Sequence, residues 1–442
     1  MQEIIVVGAG LAGSECAFQL ASRGFHVKLI EMKPLKKSPA HTLDSFAELV
    51  CSNSFRSDNI KSAVGLMHQE LRELDSLIMK IADKHKVPAG DALAVDRIAF
   101  SNDITEILQS HPNITIIHEE FKNIKEQSQD NIVIIASGPL TSENLNTEIL
   151  NMIGEKSFNF FDAIAPIVYK DSIDFSKAWW QSRYEKGNGK DYINCGMTES
   201  EYDVFYHELI NAEYMEFADY EKEIPYFEGC LPIEVMANRG KQTLLFGPLK
   251  PVGLINPHTC EQPFAVLQLR QDNHLGSLYN MVGCQTKLKY NEQLRIFRLI
   301  PALQNAEFAK LGSIHKNTFI NSPQVLNDNL SLKNYENIFF AGQITGCEGY
   351  VESTAVGLMC ALFVNAKLHN KELKIPQLSA LGAILNHILS SKDNYQPSNI
   401  NFGLFPDITP ANIKKLKKSD KKDLITEKSL ENIKILKTSI LL

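Results

Sequence analysis

The sequence predicts an α/β fold in which a Rossmann-type domain is interrupted by a large α+β insertion. The first observation is EIIVVGAGLAGSECAFQLASRGFHVKLIE at the N-terminus, where an apolar run, a glycine turn, an alanine-rich helix and a second apolar run follow one another. The second is that buried-strand patterns followed by glycine recur far apart, at NIVIIASGPLTS and NIFFAGQITG. The third is that the stretch from about 170 to 325 is rich in aromatic residues and lacks such glycine signals.

The length of the chain supports this division. Its 442 residues exceed what a single core usually holds, so we expect two domains or one domain with an insertion. We predict that residues 1–170 and 325–442 form a split cofactor-binding domain and that residues 171–324 form an inserted substrate domain. From Ser62 to Lys84 the apolar residues fall at helical spacing, which predicts an amphipathic helix packed on the sheet.

Composition excludes several classes of protein. The formal net charge of −7 excludes a surface that is basic everywhere, so any nucleic acid must meet a local basic patch. The N-terminus begins almost directly with a strand, and no later run looks long enough to span a bilayer, so we expect a cytoplasmic protein without membrane contact. The eight cysteines show no C-x-x-C pair, so we expect neither disulfides nor a metal site.

The N-terminal glycine motif predicts dinucleotide binding. In G-x-G-x-x-G the first glycine allows a tight turn, the second lets the backbone approach a pyrophosphate, and the third lets helix and strand pack closely. The anion then lies at the helix N-terminus. Glu31 ends the second strand, where its carboxylate can accept hydrogen bonds from both ribose hydroxyls. The loop residues are Gly8, Ala9, Gly10, Leu11, Ala12 and Gly13.

The two later glycine strands favour FAD over a nicotinamide cofactor alone. An N-terminal Rossmann unit combined with a C-terminal FFAG strand that enters a glycine-containing helix is the two-part pattern of FAD-binding proteins. Gly138 and Gly342 are the glycines that follow these strands. Gln343 stands where many flavoproteins have an aspartate, which indicates a particular subtype of the site.

Two cysteines are candidates for chemistry. Cys51 lies in the polar segment CSNSFRSDN, with Arg56 close enough in sequence to stabilise a thiolate. Cys230 lies in a turn between Glu228 and Glu234, and acidic neighbours do not activate a thiol, so local sequence alone does not mark it as reactive. Cys347, in the loop expected near the flavin, is ambiguous.

Longer strings carry a resemblance to a known family. They are VVGAGLAGSECA, CSNSFRSDN, GDALAVDR, YFEGCLPIEVMANRGKQTLLFGPLKPVGL, FAVLQLRQDN, NTFINSP, FFAGQITGCEGYVES and NINFGLFP. Together they resemble the folate- and FAD-dependent tRNA uracil-5-methyltransferases, in family order from residue 4 to about residue 406.

The resemblance implies a reaction and its cofactors. The carbon would come from 5,10-methylenetetrahydrofolate, and the electrons from FAD that is reduced by NADPH or NADH. The substrate would be the T-loop uridine at tRNA position 54, with no obligate protein partner. Uracil C5 becomes nucleophilic only after a thiolate adds at C6, so the resemblance implies Cys230 as nucleophile and Cys51 in a flavin-side role, although the two roles could be exchanged.

The same resemblance implies the residues that line the flavin and the folate. By position these are Gln343, Glu348, Tyr350 and Glu352. Tyr350 could stack on the pterin or on the isoalloxazine ring, or could be a packed aromatic residue at a helix start.

Departures from the family pattern leave a second RNA target open. Ala302, Cys284 and Lys287 replace the residues expected in the insertion, which we take to face RNA, and lysines replace expected arginines in AKLGSIHKNT. The alternative is a uridine of large-subunit ribosomal RNA. Residues 411–442 hold nine lysines and four acids, a local basic patch that suits phosphate binding or is a solvated helix face.

Three further interpretations are weaker. A flavoprotein that modifies the wobble uridine of tRNA would be considerably longer. A generic FAD oxidoreductase would be expected to have a redox C-x-x-C pair or a second nicotinamide-binding glycine motif. A non-catalytic RNA-binding flavoprotein would have no use for two cysteines in intact motifs.

Overall fold

The structure is a computed structural model that describes residues 3–154, 158–215, 226, 230–390, 395–408 and 417–441. The strands are β1 (Ile4–Val7), β2 (Val27–Glu31), β3 (Ser54–Ser57), β4 (Lys86–Val87), β5 (Ala92–Val95), β6 (Ile114–His118), β7 (Ile132–Ile135), β8 (Phe158–Ile164), β9 (Ile167–Tyr169), β10 (Ala178–Trp180), β11 (Tyr192–Met197), β12 (Ala265–Gln271), β13 (Leu278–Met281), β14 (Phe308–Lys310), β15 (Ser313–Phe319), β16 (Ser331–Leu332) and β17 (Tyr335–Phe340).

The α-helices follow the same chain order. They are α1 (Leu11–Ala21), α2 (Ala63–Glu73), α3 (Leu77–Lys84), α4 (Arg97–Ser110), α5 (Ile124–Gln127), α6 (Glu143–Ile153), α7 (Glu199–Ile210), α8 (Ile233–Asn238), α9 (Thr243–Phe246), α10 (Tyr290–Phe297), α11 (Ser322–Val325), α12 (Tyr350–Leu368), α13 (Ala380–Leu389) and α14 (Lys418–Leu441).

The first sheet confirms the predicted Rossmann-type α/β fold. Its strand order is β16-β17-β7-β1-β2-β6, and every pairing is parallel except that of β16 with β17. The strands β1 and β7 are buried throughout, as expected for a parallel sheet covered on both faces. The helices α1 and α12 pack against each other, and Gly357 permits the contact because a Cβ there would lie 2.3 Å from the Ala12 carbonyl oxygen.

A second sheet is built from the middle of the chain. Its order is β10-β11-β12-β13-β9-β14, with antiparallel pairing throughout. It has its own hydrophobic core, which includes Tyr202 and Phe205 of α7 and Ile296 and Phe297 of α10. The antiparallel ribbon of β8 and β15 and the small sheet β3-β5-β4 complete the pairing. The domain boundaries at 170 and 325 stay predictions.

The predicted helix from Ser62 to Lys84 is two helices. The chain breaks between α2 and α3 at Asp75, which has a left-handed φ of 59°, and Ser76 then caps α3 by accepting a hydrogen bond from the Met79 N–H. Both helices bury apolar residues against the core, so the apolar spacing continues across the break. The spacing alone therefore did not reveal that the chain forms two helices.

The expectation that no apolar run is long enough to span a bilayer is wrong for helix α12. By length and composition its 19 residues, with a mean hydropathy of 1.3, could cross a membrane. In the folded chain, however, 83% of this stretch is buried inside the protein. Burial between α1 and α13 is what the central helix of a globular core requires.

Candidate active site

The three loop glycines meet different neighbours. Gly8 has a φ of +98°, and a Cβ there would lie 2.7 Å from the Ala136 carbonyl oxygen, while a Cβ on Gly13 would lie 1.8 Å from the Gly8 oxygen. Gly10 is the N-cap of α1, and a Cβ there would meet no protein atom within 4 Å. The fold therefore requires Gly8 and Gly13, whereas the space beside Gly10 is free for a ligand.

Glu31 is tied to the glycine loop. Its carboxylate accepts hydrogen bonds from the Ala9 N–H, at 2.8 Å, and from the Lys33 N–H, at 3.0 Å. Each carboxylate oxygen has a second acceptor site, so Glu31 can still accept bonds from ribose hydroxyls. These backbone bonds fix the carboxylate at the end of β2.

A first cavity, with an empty volume of about 1120 Å³, lies at the carboxyl ends of β1, β2 and β7. This is where parallel α/β sheets bind their ligands. Of the predicted cofactor residues, the cavity wall contains Gly8, Gly10, Leu11, Ala12, Glu31, Gly138, Gln343 and Tyr350. The glycine-lined cleft and the N-terminus of α1 fit the adenosine and pyrophosphate of a dinucleotide.

A second cavity adjoins the first and contains both candidate cysteines. Its empty volume is about 1100 Å³. The two cavities share the wall residues Val50, Pro139, Leu140, Gln343 and Tyr350. The second alone is lined by Cys51, Asp162, Cys230, Arg270, His315 and Glu348. A ligand that fills the first cavity can therefore reach the second without leaving the protein.

Tyr350 holds the segment that carries Cys51. Its hydroxyl oxygen accepts hydrogen bonds from the N–H groups of Cys51, at 2.9 Å, and Ser52, at 3.0 Å, and its ring packs 5.8 Å from that of Phe55. The Cys51 thiol itself donates to the Ala163 carbonyl oxygen at 3.6 Å. Tyr350 thus positions Cys51, and its ring still forms part of both cavity walls.

Cys230 faces Cys51 and a carboxylate. One ligand atom each of Cys51, Asp162 and Cys230 lie within 4.8 Å of one another. The neighbouring Cys51 thiol, burial and the Asp162 charge all raise the pKa of the Cys230 thiol. Glu234 does not face this thiol: its carboxylate binds the Lys287 N–H and the Thr286 hydroxyl. Glu228 and Gly229, which the sequence placed beside Cys230, lie outside the described residues.

The sequence suggested Arg56 as the cation near the Cys51 thiol, but the structure places Arg270 near it. Arg56 forms an ion pair with Glu352 instead. The guanidinium of Arg270 lies within electrostatic reach of the Cys51 thiol and donates to Asn53, at 3.1 Å, and Ser52, at 2.6 Å. Arg270 is 8% exposed and forms no ion pair with the described residues, and burial lowers its pKa. A guanidinium still stays charged near neutral pH, so a positive charge lies beside the cysteine segment.

Four predicted cofactor residues lie outside both cavity walls: Ala9, Gly13, Gly342 and Glu352. Glu352 is fully buried, and one of its carboxylate oxygens binds Arg56 and the Ile400 N–H, the latter at 2.8 Å, so a role of Glu352 at the cofactor stays a prediction. Gly342, with a φ of +81°, packs against Ala12, whose Cβ would lie 2.6 Å from a Cβ at this position. Gly13 packs against the backbone of Gly8, because a Cβ on Gly13 would lie 1.8 Å from the Gly8 oxygen.

Glu348 does reach the second cavity. Both of its carboxylate oxygens accept hydrogen bonds from the Gln343 amide, at 2.7 and 2.8 Å. Burial and the nearby Asp162 raise the pKa of Glu348. Gln343, which stands in place of the usual aspartate, lines both cavities, and its amide holds the Glu348 carboxylate in the wall of the second.

The departures from the family pattern are largely internal. Cys284 and Ala302 are fully buried in the core of the second sheet, so these two side chains do not themselves meet RNA. Lys287 donates to the Tyr226 hydroxyl at 3.0 Å and lies 5.0 Å from the centre of the Tyr214 ring. Cys347 is fully buried, and burial raises the pKa of its thiol, so it is a core residue.

Asp162 and Arg270 were missed as site residues. Each is a charged residue within an apolar strand, FNFFDAI and AVLQLRQ, and an apolar strand seldom buries a charge without a use for it. This signal was present in the sequence but did not show which cavity the two side chains would reach.

Comparisons with known proteins agree with this geometry. Residues 3–372 match the family model described as glucose inhibited division protein A. The methylenetetrahydrofolate–tRNA-(uracil-5-)-methyltransferase of Zymomonas mobilis is 56% identical over 423 residues, which cover 95% of this chain and 94% of that protein. The protein of the same name from Magnetococcus marinus is 54% identical, covering 98% of both chains.

The fold is also similar to a solved structure. Aquifex aeolicus GidA superposes with a TM-score of 0.71 at 15% identity, covering 99% of this chain and 73% of that one. Identity at this level supports the shared fold alone.

Proposed function

We propose that this chain methylates uracil C5 in tRNA. It belongs to the glucose inhibited division protein A family and, by its relatives, to the methylenetetrahydrofolate–tRNA-(uracil-5-)-methyltransferases. The carbon donor is 5,10-methylenetetrahydrofolate and the redox cofactor is FAD. The observation that carries the proposal is the pair of half-buried thiols, Cys51 and Cys230, in a cavity that adjoins a dinucleotide cleft.

The first cavity has the features that FAD needs. The free space at Gly10, the N-terminus of α1 and the carboxylate of Glu31 suit the pyrophosphate and the adenosine ribose. Bound there, FAD supplies the electron pair that reduces the transferred one-carbon unit to a methyl group. We expect NADPH or NADH as the external reductant and the cytoplasm as the location.

The geometry supports a division of roles between the cysteines. Val50, the residue before Cys51, lines both cavities, which favours Cys51 as the thiol on the side of the flavin. Cys230 belongs to the middle of the chain and lines the second cavity alone. We therefore assign attack on uracil C6 to Cys230 and a flavin-side role to Cys51.

The tRNA substrate is favoured over the alternatives. The relatives that match this chain at 54–56% identity over nearly its whole length are named for action on tRNA. Ribosomal RNA as the target, or a flavoprotein without turnover, lacks comparable support. In tRNA we expect the T-loop uridine at position 54 as the methylated base.

The proposal is tested with purified protein and unmodified tRNA. Wild-type protein loaded with FAD should form 5-methyluridine when supplied with methylenetetrahydrofolate and NADPH or NADH, as measured by mass spectrometry of digested RNA. A transcript with cytidine at position 54 should gain none. Absence of product with the wild-type protein would overturn the proposal.

Cysteine variants test the assigned roles. Cys230→Ala should abolish methyl transfer while FAD stays bound, because the nucleophile is lost. Cys51→Ala should also abolish turnover and change the flavin spectrum. Cys260→Ala is the matched control, because Cys260 is exposed and lines neither cavity, so its activity should match the wild type. Full activity of Cys230→Ala would remove it as the nucleophile.

A further inference from the structure

We infer that Asp162 is a catalytic residue that takes the proton of the Cys230 thiol as the sulfur adds to uracil C6, and returns it when the sulfur leaves. The inference rests on the proposed function. It supplies a base for the nucleophile, for which the sequence offered no candidate.

The position of Asp162 is set by a strand pair. It lies on β8, opposite His315 of β15, and its side chain lines the second cavity together with both cysteines. One carboxylate oxygen of Asp162 and the sulfur atoms of Cys51 and Cys230 lie within 4.8 Å of one another. Burial raises the pKa of the Asp162 carboxyl, and interactions with the Cys230 thiol and the Asn317 side chain lower it. Because Asn317 is on the same ribbon, the carboxylate is held by a rigid element and not by the loop that carries Cys230.

This carboxylate also keeps an unused acceptor. Its Oδ1 atom is buried and has no hydrogen-bond partner of ordinary geometry within the described part of the chain. A buried acceptor without a partner is costly, and a catalytic role is one of the reasons for which native proteins keep such an atom. A proton arriving from Cys230 would satisfy this acceptor site.

Other titratable groups around the cavity already form hydrogen bonds with protein atoms. Both oxygens of Glu348 bind the Gln343 amide. The Nε2 atom of His315 is hydrogen-bonded to Ser313 at 3.0 Å, and burial lowers the pKa of its imidazole to about 4, which makes it a weak base. The Cys51 thiol donates to Ala163. Asp162 is the carboxylate of this cavity that contacts the Cys230 thiol.

The proton and electron pairs balance. As the S–C6 bond forms, the S–H bond breaks and its proton passes to Asp162, while the C5=C6 π electrons move into the enolate that ends at O4. At the end of the reaction the electron pair of the enolate at C5 re-forms the C5=C6 double bond as the S–C6 bond breaks. The pair of the S–C6 bond leaves on sulfur, and the thiolate takes the proton back from Asp162. The net step needs no oxidant or reductant.

The protonation states suit this transfer. Burial raises the pKa of the Asp162 carboxyl to about 6, so it is ionised and able to accept a proton near neutral pH. The thiol of Cys230 is protonated there, because Cys51, burial and Asp162 raise its pKa. Glu348 lies within electrostatic reach of Asp162, and Arg56 and Arg270 line the same cavity. A thiol that holds its proton needs a base at the moment of attack.

The first test is the pH dependence of methyl transfer. Asp162→Asn should lower kcat at about pH 7 by roughly 100-fold, the lower end of the range for general bases, with FAD content and the KM for tRNA unchanged. Wild-type kcat should rise through about pH 6 and level off. The variant should instead recover activity steadily towards high pH, because the thiol then ionises without help. Asp162→Glu should restore part of the activity.

The second test does not depend on turnover. In a Cys51→Ala background, the rate at which iodoacetamide alkylates Cys230 at about pH 8 reports its thiolate fraction. Asp162→Asn removes the negative charge that raises the thiol pKa, so alkylation should become faster, by roughly tenfold for each unit of lowered pKa. Asp174→Asn, at a partly exposed residue outside both cavities, is the control and should change neither rate.

The outcomes separate the two proposals. Faster alkylation with slower methyl transfer supports the inference. Wild-type turnover in Asp162→Asn at about pH 7 overturns it, and so does a loss of both rates at every pH, which would show a structural role. If the wild-type protein forms no 5-methyluridine, the proposed function fails, while unchanged alkylation in Asp162→Asn would separately refute the coupling of the carboxylate to the thiol.

Discussion

At the scale of single residues, the glycine loop separates what the fold needs from what the cofactor needs. Side chains at Gly8 and Gly13 would collide with backbone oxygens at 2.7 and 1.8 Å, so these glycines are required for folding. Gly10 has an ordinary φ of −72° and open space around a Cβ. The reason for a glycine there is the close approach of the FAD pyrophosphate.

Gly10→Val should therefore remove FAD without unfolding the protein. The valine side chain would occupy the space of the pyrophosphate, while no protein atom lies near enough to its Cβ to be displaced. Flavin absorbance relative to protein absorbance measures the loss, and circular dichroism checks the fold. Ser22→Val, at the exposed end of the same helix, should keep its FAD. Stoichiometric FAD in purified Gly10→Val would show that the loop does not hold the pyrophosphate.

At the scale of elements, one buried carboxylate on α2 joins three helices. Glu70 accepts hydrogen bonds from the Ala380 and Leu381 N–H groups, at 2.6 and 2.9 Å, at the N-terminus of α13. Ser429 of α14 donates its hydroxyl to the same carboxylate. Ile425 and Ile433 of α14 are buried beside it. From Lys418 to Leu441 the basic C-terminal stretch is therefore a docked helix, with Lys428 and Lys434 on its exposed side.

The pH dependence of the free energy of unfolding should show the raised pKa of Glu70. Burial raises its pKa from 4.5 to about 7 in the folded protein, so the folded state holds a proton that the unfolded state releases as pH rises above 4.5. This contribution to stability is fully present below about pH 4.5 and is lost as pH rises to about 7. The loss amounts to about 3 kcal/mol.

The comparison with Glu70→Gln isolates this effect, because glutamine does not ionise. Between about pH 4 and pH 8 the free energy of unfolding of the wild type should fall by about 3 kcal/mol relative to that of the variant. Urea unfolding across this range measures the difference. Glu73→Gln, one turn along the same helix and partly exposed, should follow the wild type. Parallel curves for Glu70→Gln and wild type would contradict the raised pKa.

Local patterns predicted the elements better than they predicted the site. The order of strand, glycine loop, helix and strand is encoded in adjacent residues, so β1, α1 and β2 could be predicted from the sequence. The ion pair of Arg56 with Glu352 could not, because its partners are almost 300 residues apart and meet only when α12 packs on the cysteine segment. Arg270 and Asp162 reach the cavity through strands whose register is set by tertiary packing.

At the scale of the whole molecule, the second cavity exists only where the two sheets meet. Cys51 follows the first Rossmann unit, whereas Arg270 lies near the end of β12 in the second sheet. A buried ion pair joins these regions: Asp272, just after β12, lies 2.5 Å from the guanidinium of Arg97. The same guanidinium donates to the Leu49 carbonyl oxygen at 3.1 Å, two residues before Cys51. This contact sets the position of the cysteine segment relative to the second sheet.

Asp272→Asn should therefore damage stability and turnover together. It leaves the buried Arg97 charge without its partner, which typically costs about 3–5 kcal/mol. Turnover should fall more than FAD content, because the first cavity keeps its walls while Cys51 shifts relative to Arg270. Asp91→Asn is the matched control: it breaks the exposed pair of Asp91 with Lys186, which joins the same two regions, and should cost at most about 1 kcal/mol. Equal effects of the two variants on unfolding and on methyl transfer would show that the buried pair does not align the two halves of the cavity.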